Sequence, residues 1–546
     1  MALVLSLLPV VILINSFIRT SAFGVDESEH SGEKLQDYLS KLRKIRMLKR
    51  KESNMDARLF EASLTALETT NLSSVTQINK PGFGNIANKY SLSMASFKGH
   101  VYVGTLNAPN FPDDLIPWFL GEQVATEGSQ VWRGLGLESV SLADGGQGAS
   151  NFWEKVFDFG AAGLSIDNFG IRKMLVVGDF LYFCTVNHKA GAEIWKSSDG
   201  VNWSLVNTPG FGTSDNVSGR SMVVCGGYLY VGVENRVTGA QIFRRRLEPE
   251  GQGDLSPDDD WELVVNDGFG NPNNYFVSGL VNFGGEMYAG TLNGFDGMEL
   301  WRTATCDQAD SNNVVFENEF RGGYPSDGVS LVTNSGALTI ETIDTGKGPR
   351  MMFLGTSNYA FGASLFVKVS GRPDWIPVFL FGDGNFSLSY VWSMEYYKGR
   401  LYIGTFDRSN LPSLLPQFNG SFEGIEDLLV SEGASNSLLA FLPQLLKDLA
   451  VVNTIYSTKE ITFTDLLGIL AGQTLSGGFT LISIDPKKIP DSLVEETTDG
   501  FGGDSAQYGI RTIVSHKGDL ILGTAGADSQ SGTLIYEAMS SGVFDH

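Results

Sequence analysis

SMASFKGHVYVGT (residues 93–105) joins a short apolar segment to an aromatic-rich segment that ends in Gly-Thr, with a Gly-containing turn between them. Two alternating segments separated by such a turn predict a β-hairpin. Variants of the phrase recur along the chain as KMLVVGDFLYFCT (173–185), SMVVCGGYLYVGV (221–233), GLVNFGGEMYAGT (279–291), SMEYYKGRLYIGT (393–405), TIVSHKGDLILGT (512–524) and the diverged PRMMFLGT (349–356). The hairpin is therefore a repeated unit, present in seven copies.

Further segments extend each hairpin. A third segment opens with Gly, as in GAEIWKS (191–197), and most copies add a fourth, as in NWSLVNTPGFG (202–212). Four short antiparallel strands repeated every roughly 48 to 65 residues are typical of a β-propeller. The last copy lacks a fourth segment, and SSVTQINKPGFG (73–84) supplies the missing phrase. The sequence thus predicts an all-β fold, a seven-bladed β-propeller whose last blade is completed by the N-terminal strand.

The segments outside the repeats predict a leader and helical additions. An apolar stretch within the first 22 residues is too short to cross a bilayer and is typical of a signal peptide. Apolar residues at helical spacing predict a helical lead-in before the propeller, which is alternatively a removable pro-segment. The predicted organisation is a signal peptide at 1–22, a helical lead-in or pro-segment at 23–72 and the propeller at 73–546, with insertions at 108–127 and, of helical character in the sixth repeat, 408–476.

Composition limits the partners. The 62 acidic and 39 basic residues give a net charge of −23, which excludes nucleic acid because polyphosphate binding needs a cationic face. No other segment reaches transmembrane length, so no integral membrane segment is expected after signal removal. The predicted location is extracellular or in the secretory lumen. A plastid location is the alternative, because SAF (21–23) resembles the cleavage motif of plastid presequences in algae with secondary plastids.

Three cysteines are too few for a disulfide-built scaffold. Cys184 and Cys225 fall in predicted strands of neighbouring repeats, so a disulfide between them is one interpretation. Two buried thiols are the preferred interpretation.

One turn resembles a known family. SSDGVNW, from Ser197 to Trp203, is similar to the Ser-x-Asp-x-Gly-x-x-Trp turn of Asp-box propellers of the sialidase-like kind. This copy is one residue shorter, and no other repeat keeps it. The resemblance implies a propeller fold and no particular activity, because the Asp-box is a structural turn.

A column of carboxamides follows the Gly-Thr phrase by two residues. Its members are Asn107, Asn187, Asn235, Asn293 and Asn358, with Asp407 in the sixth copy. In a propeller this position surrounds the mouth of the central channel. Asn and Asp also cap loose backbone groups at strand ends. The column is therefore either a set of structural caps or a ligand-binding ring.

A second column lies at the start of each hairpin and includes Arg172, Arg220 and Arg511. Three converging guanidinium groups suit a carboxylate, sulfate or phosphate. Sialidases also hold a carboxylate with three arginines, although their Arg-Ile-Pro phrase is absent here. Pairing with Glu234 or another carboxylate would instead make these arginines structural. His188 is the one candidate general base.

No cofactor motif occurs, and no metal site is predicted. The acidic run SPDDDW (256–261) offers carboxylates to a calcium ion, but it lacks the alternating ligand spacing of a dedicated loop, so a solvated turn is preferred.

Two functions remain open. The preferred one is a secreted recognition module that binds a glycan or protein partner at the channel-mouth face. The alternative is a carbohydrate-active enzyme, a glycosidase or lyase, that acts on an acidic sugar held by the arginines. The sequence contains no catalytic constellation that decides between them.

Overall fold

The computed structural model describes most of the repeat region and none of the first 71 residues. The described residues are 72–111, 123–135, 152–161, 163–248, 253–256, 260–323, 333–344, 348–358, 361–385, 388–407, 478–489, 492–502, 506–526 and 530–540. Within these ranges the chain forms 28 β-strands and short 3-10 turns at Pro81–Gly84, Pro209–Gly212, Ser311–Asn313, Phe381–Gly384 and Pro486–Lys488. The protein is therefore all-β in the described ranges.

The strands fall into four sets according to their place in each repeat. The first inner strands are β2 (Asn88–Phe97), β6 (Gly170–Val177), β10 (Asn216–Cys225), β14 (Phe276–Phe283), β18 (Gly336–Ile343), β22 (Leu388–Tyr397) and β26 (Gln507–His516). The second inner strands are β3 (His100–Asn107), β7 (Phe180–Val186), β11 (Tyr228–Asn235), β15 (Glu286–Leu292), β19 (Met351–Ser357), β23 (Arg400–Asp407) and β27 (Asp519–Gly526).

Two further sets extend the inner hairpins outward. The third strands are β4 (Gln130–Gly134), β8 (Ile194–Ser197), β12 (Gln241–Arg246), β16 (Leu300–Thr303), β20 (Leu365–Val369), β24 (Leu481–Ile484) and β28 (Ile535–Ser540). The fourth strands are β5 (Trp153–Asp158), β9 (Ser204–Leu205), β13 (Glu262–Val265), β17 (Glu317–Phe320), β21 (Trp375–Phe379), β25 (Val494–Thr497) and β1 (Leu72–Gln77). β1 pairs antiparallel with β28, so the two ends of the described chain share one repeat.

The hydrogen bonding between repeats corrects the predicted seven-bladed β-propeller. Separate blades would each be an isolated sheet, whereas all the described strands belong to one continuous 28-stranded sheet. One residue pair joins the inner hairpins at each of seven boundaries: Leu106 with Gly170, Val186 with Ser218, Glu234 with Phe276, Leu292 with Gly336, Ser357 with Tyr390, Phe406 with Gly509 and Ala525 with Tyr90. The last pair closes the ring, so the prediction is wrong: the 14 inner strands form a closed antiparallel barrel.

Close approach between adjacent hairpins explains this continuity. A Cβ atom on Gly104 would lie 2.6 Å from Ile171 Cγ2, and one on Gly355 would lie 2.3 Å from Val391 Cγ1. The missing side chain at the glycine of the Gly-Thr phrase therefore lets the next hairpin pack closely against the second inner strand. At that spacing the ends of neighbouring hairpins reach hydrogen-bonding distance.

The apolar core lies between consecutive repeats. One cluster joins Tyr182 and Ile194 of one repeat to Met222 and Val231 of the next. The PGFG turns add aromatic contacts to it: Phe211 adopts a left-handed backbone with φ of 57°, and its ring stacks on Phe243 with centroids 3.9 Å apart. Each hairpin is thus held by its neighbour, because four short strands bury too little apolar surface alone.

The predicted signal peptide at 1–22, lead-in at 23–72 and helical insertion at 408–476 lie outside the described residues, except that Leu72 begins β1. Of the insertion at 108–127, residues 112–122 also lie outside them, as do residues 257–259 of the acidic run. No α-helix occurs in the described ranges, so no helical insertion is seen there. The 3-10 turns of the described ranges are too short to cross a membrane, and no candidate membrane-spanning helix is found there.

The described cysteines form a different pair from the one considered in the sequence. Cys225 is bonded to Cys306, with Cα atoms 5.8 Å apart, and Cys184 is a buried free thiol. The preferred interpretation, buried thiols, is confirmed for Cys184 and wrong for Cys225, and the alternative bond between the two is also wrong. Cys225 ends β10 and contacts the loop that follows β16 of the next repeat. Burial raises the pKa of the Cys184 thiol, as expected for an inert packed cysteine.

Candidate functional site

A β-bulge positions the arginine column. In β6 the register shifts between Ile171 and Lys173, so Arg172 is the extra residue opposite the partner strand. The same shift places Arg220 between Gly219 and Ser221, and Arg511 between Ile510 and Thr512. Bulges turn a side chain out of the regular alternation and often adjoin functional sites. The other bulged residues at this position are Leu92, Ser278, Leu338 and Trp392. The spacing rule misses Leu338, because its repeat has diverged.

Arg172, Arg220 and Arg511, hereafter the arginine group, come together inside the barrel. Arg220 and Arg511 belong to β10 and β26, which are separated by two hairpins around the ring. They nevertheless repel each other, and both repel Arg172. Side chains from these strands meet only across the lumen. The group lies where the first inner strands begin and the second inner strands end; we call this the mouth end.

Burial and mutual repulsion weaken the charged form of these guanidinium groups. Burial, followed by the charges of Arg220 and Arg511, lowers the pKa of Arg172 well below its usual range. Burial and the charge of Arg220 lower the pKa of Arg511 to about 10. Burial also lowers the pKa of Arg220, although Glu234 opposes the shift. The lowered pKa values indicate that nearby negative charges do not balance the positive charges of the three arginines.

Glu234 neutralises one side of the arginine group. Its Oε2 accepts a hydrogen bond from Arg220 Nε at 2.8 Å, and its Oε1 accepts one from Arg236 Nε at 2.7 Å. Burial opposes ionisation of Glu234, but Arg220, Arg236 and His188 outweigh it and hold the pKa of this carboxyl below its usual range. Glu234 is therefore a carboxylate at every ordinary pH and cannot donate a proton in catalysis.

Arg172 and Arg511 have no such partner among the described residues. Neither forms an ion pair with, or donates a hydrogen bond to, a carboxylate of the described residues, and the buried Arg511 Nε has no hydrogen-bond acceptor there. Arg511 instead lies 5.1 Å from the centroid of the Trp392 ring. A buried donor without an acceptor is costly and marks a site where a bound group is expected.

Aromatic side chains form the wall beside these two arginines. Tyr90 contacts Trp392 edge to face, with centroids 6.0 Å apart, and its hydroxyl forms a short hydrogen bond with that of Tyr508. Both tyrosines interact electrostatically with Arg511. Phe406 packs against Tyr508 at 5.2 Å. Tyr90, Tyr508 and Phe406 are buried, and Trp392 is the partly exposed ring of this wall beside the positive charges. The sequence columns do not reveal this combination.

The carboxamide column serves the backbone. Asn107, Asn187, Asn235, Asn293 and Asn358 are all buried, and the Nδ2 of each donates to an Asn Oδ1 at the start of the same hairpin. Their own Oδ1 atoms accept from backbone N–H groups of the following loop, as from Val237 and Thr238 at Asn235. Both ends of each carboxamide are used in this way, which is the pattern of a structural cap.

The remaining candidates lie near the same end. Asp407 ends β23 and is buried. His188 follows Asn187, packs edge to face on Phe169 at 5.2 Å and contributes positive potential at Glu234. Among the described residues, no group of three or more His, Cys, Asp or Glu side chains is placed to hold a metal ion. The Asp199 turn caps itself, with Oδ1 accepting from Val201 and Asn202 backbone N–H groups at 2.8 Å.

A second charged group lies further along the lumen. Glu395 Oε1 accepts from the backbone N–H and the hydroxyl of Ser515, at 3.0 and 2.6 Å. Burial raises the pKa of Glu341 to about 8, with repulsion from Glu395 adding to the rise and Lys173 opposing it. Burial likewise raises the pKa of Glu395. Glu341 and Glu395 each lie three residues after the bulged residue of their strand, whereas Lys173 lies one residue after its own. The sequence gave no sign of this group, because the repeat that carries Glu341 has diverged from the Gly-Thr spacing.

We expect Glu341→Gln to stabilise the fold by about 1–2 kcal/mol at pH 9 and to have little effect at pH 4. The folded-state pKa of Glu341 lies above its ordinary value of 4.5, so its contribution to stability is present below pH 4.5 and is lost as pH rises through 8. Urea unfolding at pH 4, 6 and 9 measures the difference. Glu317→Gln, at a side chain 71% exposed, is the control. An effect of Glu341→Gln that is equal at all three pH values would contradict the assignment.

A cleft of about 390 Å³ lies at the opposite end of the barrel, beside the turn that joins β14 to β15. Its charged groups satisfy one another: Arg302 pairs with Glu286 at 3.0 Å and with Glu319 at 3.2 Å, and Lys368 also pairs with Glu319. The charged groups Arg302, Lys368, Glu286 and Glu319 of the cleft are paired, whereas the arginine group has a buried donor without an acceptor. The arginine group is therefore the better candidate for a ligand site.

Comparisons with known proteins do not identify a family. No family profile matches the chain, and no curated protein is similar to it. Similar solved structures include a puromycin-hydrolysing peptidase of Mycobacterium tuberculosis, with 10% identity, a TM-score of 0.40, and coverage of 86% of this chain and 55% of that one. Polysaccharide lyase Uly1 shows 9% identity and a TM-score of 0.37, over 85% of this chain and 92% of that one.

A third similar structure is the GH43B protein of a Bacteroides ovatus xyloglucan locus, with 11% identity, a TM-score of 0.24, and coverage of 43% of this chain and 47% of that one. Two of these three solved structures are named as carbohydrate-active enzymes. Likeness at this level assigns neither a family nor an activity, so the argument for function rests on the residues of the barrel.

Proposed function

We propose that this protein binds an acidic sugar through the arginine group at the mouth end of the barrel. The observation that carries the proposal is that Arg172 and Arg511 have no carboxylate partner among the described residues. In addition, the buried Nε of Arg511 lacks a hydrogen-bond acceptor there. A carboxylate accepts two parallel hydrogen bonds from one guanidinium, and its negative charge would offset one of the two unpaired positive charges.

The surroundings favour a carboxylated sugar over a bare inorganic anion. Trp392 presents a ring next to Arg511, and the hydroxyls of Tyr90 and Tyr508 lie in the same wall. Aromatic rings pack on the C–H faces of sugars, while hydroxyl groups hydrogen-bond to their edges. A long polyphosphate is disfavoured by the net charge of −23. The chemistry of the wall and the charges together suit a uronic acid.

Recognition without catalysis is the function we propose first. Hydrolysis of a glycoside normally needs two carboxyl groups, one of which must carry a proton. Glu234 is the carboxyl group bonded to the arginine group, and its two arginine partners keep it ionised. Glu341 and Glu395, two carboxyl groups with a raised pKa, lie further along the lumen and not at the arginine group. His188 interacts electrostatically with Glu234.

A lyase is the second candidate, favoured by the hydrogen-bonded hydroxyls of Tyr90 and Tyr508 beside Arg511. In a β-elimination, a base removes the proton next to a uronic carboxylate, and neutralising that carboxylate makes the proton more acidic. The arginines would pair with the carboxylate, and one tyrosine in its phenolate form would take the C5 proton. The C4–O glycosidic bond would break as the C4–C5 double bond forms, and the departing oxygen would take a proton from a tyrosine hydroxyl. Formation of a ring double bond, detected by its ultraviolet absorbance, distinguishes this activity from binding.

The disulfide supports an extracellular or luminal site of action. Disulfide bonds persist in oxidising compartments and are rare in the cytosol, and the bond between Cys225 and Cys306 spans two repeats. A secreted location therefore remains part of the proposal, together with the predicted signal peptide.

Calorimetric titration with glucuronate, galacturonate and their oligosaccharides tests the proposed function. We expect Arg511→Gln and Arg172→Gln to weaken binding of the best ligand by about 10- to 100-fold, as loss of a charge-assisted hydrogen-bond pair does. Arg246→Gln is the matched control, because this arginine is 57% exposed on the third strand of its repeat and pairs with Glu248. Binding that is equal in wild type and both lumen variants, or no binding of any uronic acid, would refute the proposal.

A further inference from the structure

Tyr275 and Phe295 form an exposed aromatic pair at the mouth end. Their rings meet edge to face with centroids 6.4 Å apart, and Phe295 is 47% exposed. Tyr275 is half-buried, so the two rings together place a small apolar patch beside the charged groups of the mouth end. The loop that carries Phe295 follows β15, the second inner strand of its repeat.

The loop that presents Phe295 is held firmly. Asn293 Oδ1 accepts from the backbone N–H groups of Phe295 and Asp296, at 3.0 and 2.8 Å. Asp296 Oδ2 in turn accepts from the Nδ2 atoms of Asn271 and Asn273, at 3.1 and 3.3 Å. The backbone that carries the ring is thus held in place before any ligand binds, which reduces the entropy lost on binding.

A continuous series of contacts joins this pair to the arginine group. Arg220 is bonded to Glu234, and Glu234 is bonded to Arg236. The guanidinium of Arg236 lies 5.8 Å from the centroid of the Tyr275 ring, and Tyr275 contacts Phe295. The series runs from the lumen to the rim. A ligand that enters the lumen on this side passes the aromatic pair.

We propose that Tyr275, Phe295 and Arg236 form a second subsite that binds the neighbouring sugar of an acidic polysaccharide. This inference rests on the proposed function of the arginine group and specifies its ligand as a polymer rather than a single sugar. The sugar stacks on the exposed ring of Phe295, and Arg236 attracts the negative charge of the chain. The polysaccharide therefore leaves the lumen between the third and fourth repeats.

The test compares a monosaccharide with an oligosaccharide. Titration of wild type, Phe295→Ala and Phe295→Trp uses galacturonate and hexameric oligogalacturonate as probes, with glucuronate and its oligomers as a second pair. We expect Phe295→Ala to weaken oligosaccharide binding by about 5- to 20-fold while monosaccharide binding stays unchanged, and Phe295→Trp to restore it. Val315→Ala, at an exposed valine outside the mouth loops, is the control.

The outcomes separate this inference from the function on which it rests. Equal loss of monosaccharide and oligosaccharide binding in Phe295→Ala, or no loss of either, overturns the second subsite while leaving the arginine site intact. Wild-type protein that binds neither probe overturns both proposals.

Discussion

Glu234→Gln is expected to lower the free energy of unfolding by about 3 kcal/mol at pH 7, because removing one partner of a buried ion pair leaves the other charge uncompensated. The side chain of Glu234 is 1% exposed and lies between Arg220 and Arg236. Without its charge, Arg220 and Arg236 lose the carboxylate that pairs with both of them, and the repulsion among the guanidinium groups increases. Urea unfolding of the purified variant measures the effect.

The loss should depend on pH in a defined direction. The pKa of Glu234 is held below its usual range, so its contribution is present above the ordinary carboxyl pKa of 4.5 and is lost as pH falls toward the folded-state value. The difference in the free energy of unfolding between wild type and Glu234→Gln should therefore be smaller at pH 3 than at pH 7. Adding Arg220→Gln should restore part of the stability, because it removes the uncompensated charge. A single variant as stable as wild type would contradict the role given to Glu234.

Replacing both Cys225 and Cys306 with alanine is expected to destabilise the oxidised protein by about 4 kcal/mol, the value that loop-closure entropy gives for a bond across about 80 residues. The sequence separation of the two cysteines is 81. The bond ties the end of β10 to the loop after β16, so its loss also loosens the boundary between the third and fourth repeats. Denaturant unfolding with and without dithiothreitol measures the effect.

Cys184→Ala is the matched control for the disulfide. Cys184 is buried but free, so its replacement removes packing without altering the response to reductant. Dithiothreitol should destabilise wild type and Cys184→Ala equally and leave the double variant unchanged. A wild-type protein whose unfolding does not respond to the reductant would contradict the pairing.

The repeated hairpin phrase determined the strands by itself. Alternating apolar residues and Gly-containing turns are local signals, and each of the seven phrases coincides with inner-strand residues in the structure. The same spacing placed Arg172, Arg220 and Arg511 in one column, because equivalent residues of repeated units occupy equivalent positions. The spacing also placed the asparagines in one column. Their hydrogen bonds to the asparagines at the start of the same hairpin form only once the hairpin is folded.

Only the tertiary structure decided how the repeats join and which charges meet. Closure into one barrel depends on residue pairs such as Tyr90 and Ala525, which are brought together by the ring as a whole. The partner of Cys225 and the pairing of Glu234 with two arginines likewise join separate positions that no local pattern relates. Sequence periodicity specifies what repeats along the chain, whereas contacts across a lumen depend on distances that exist only once the ring has closed.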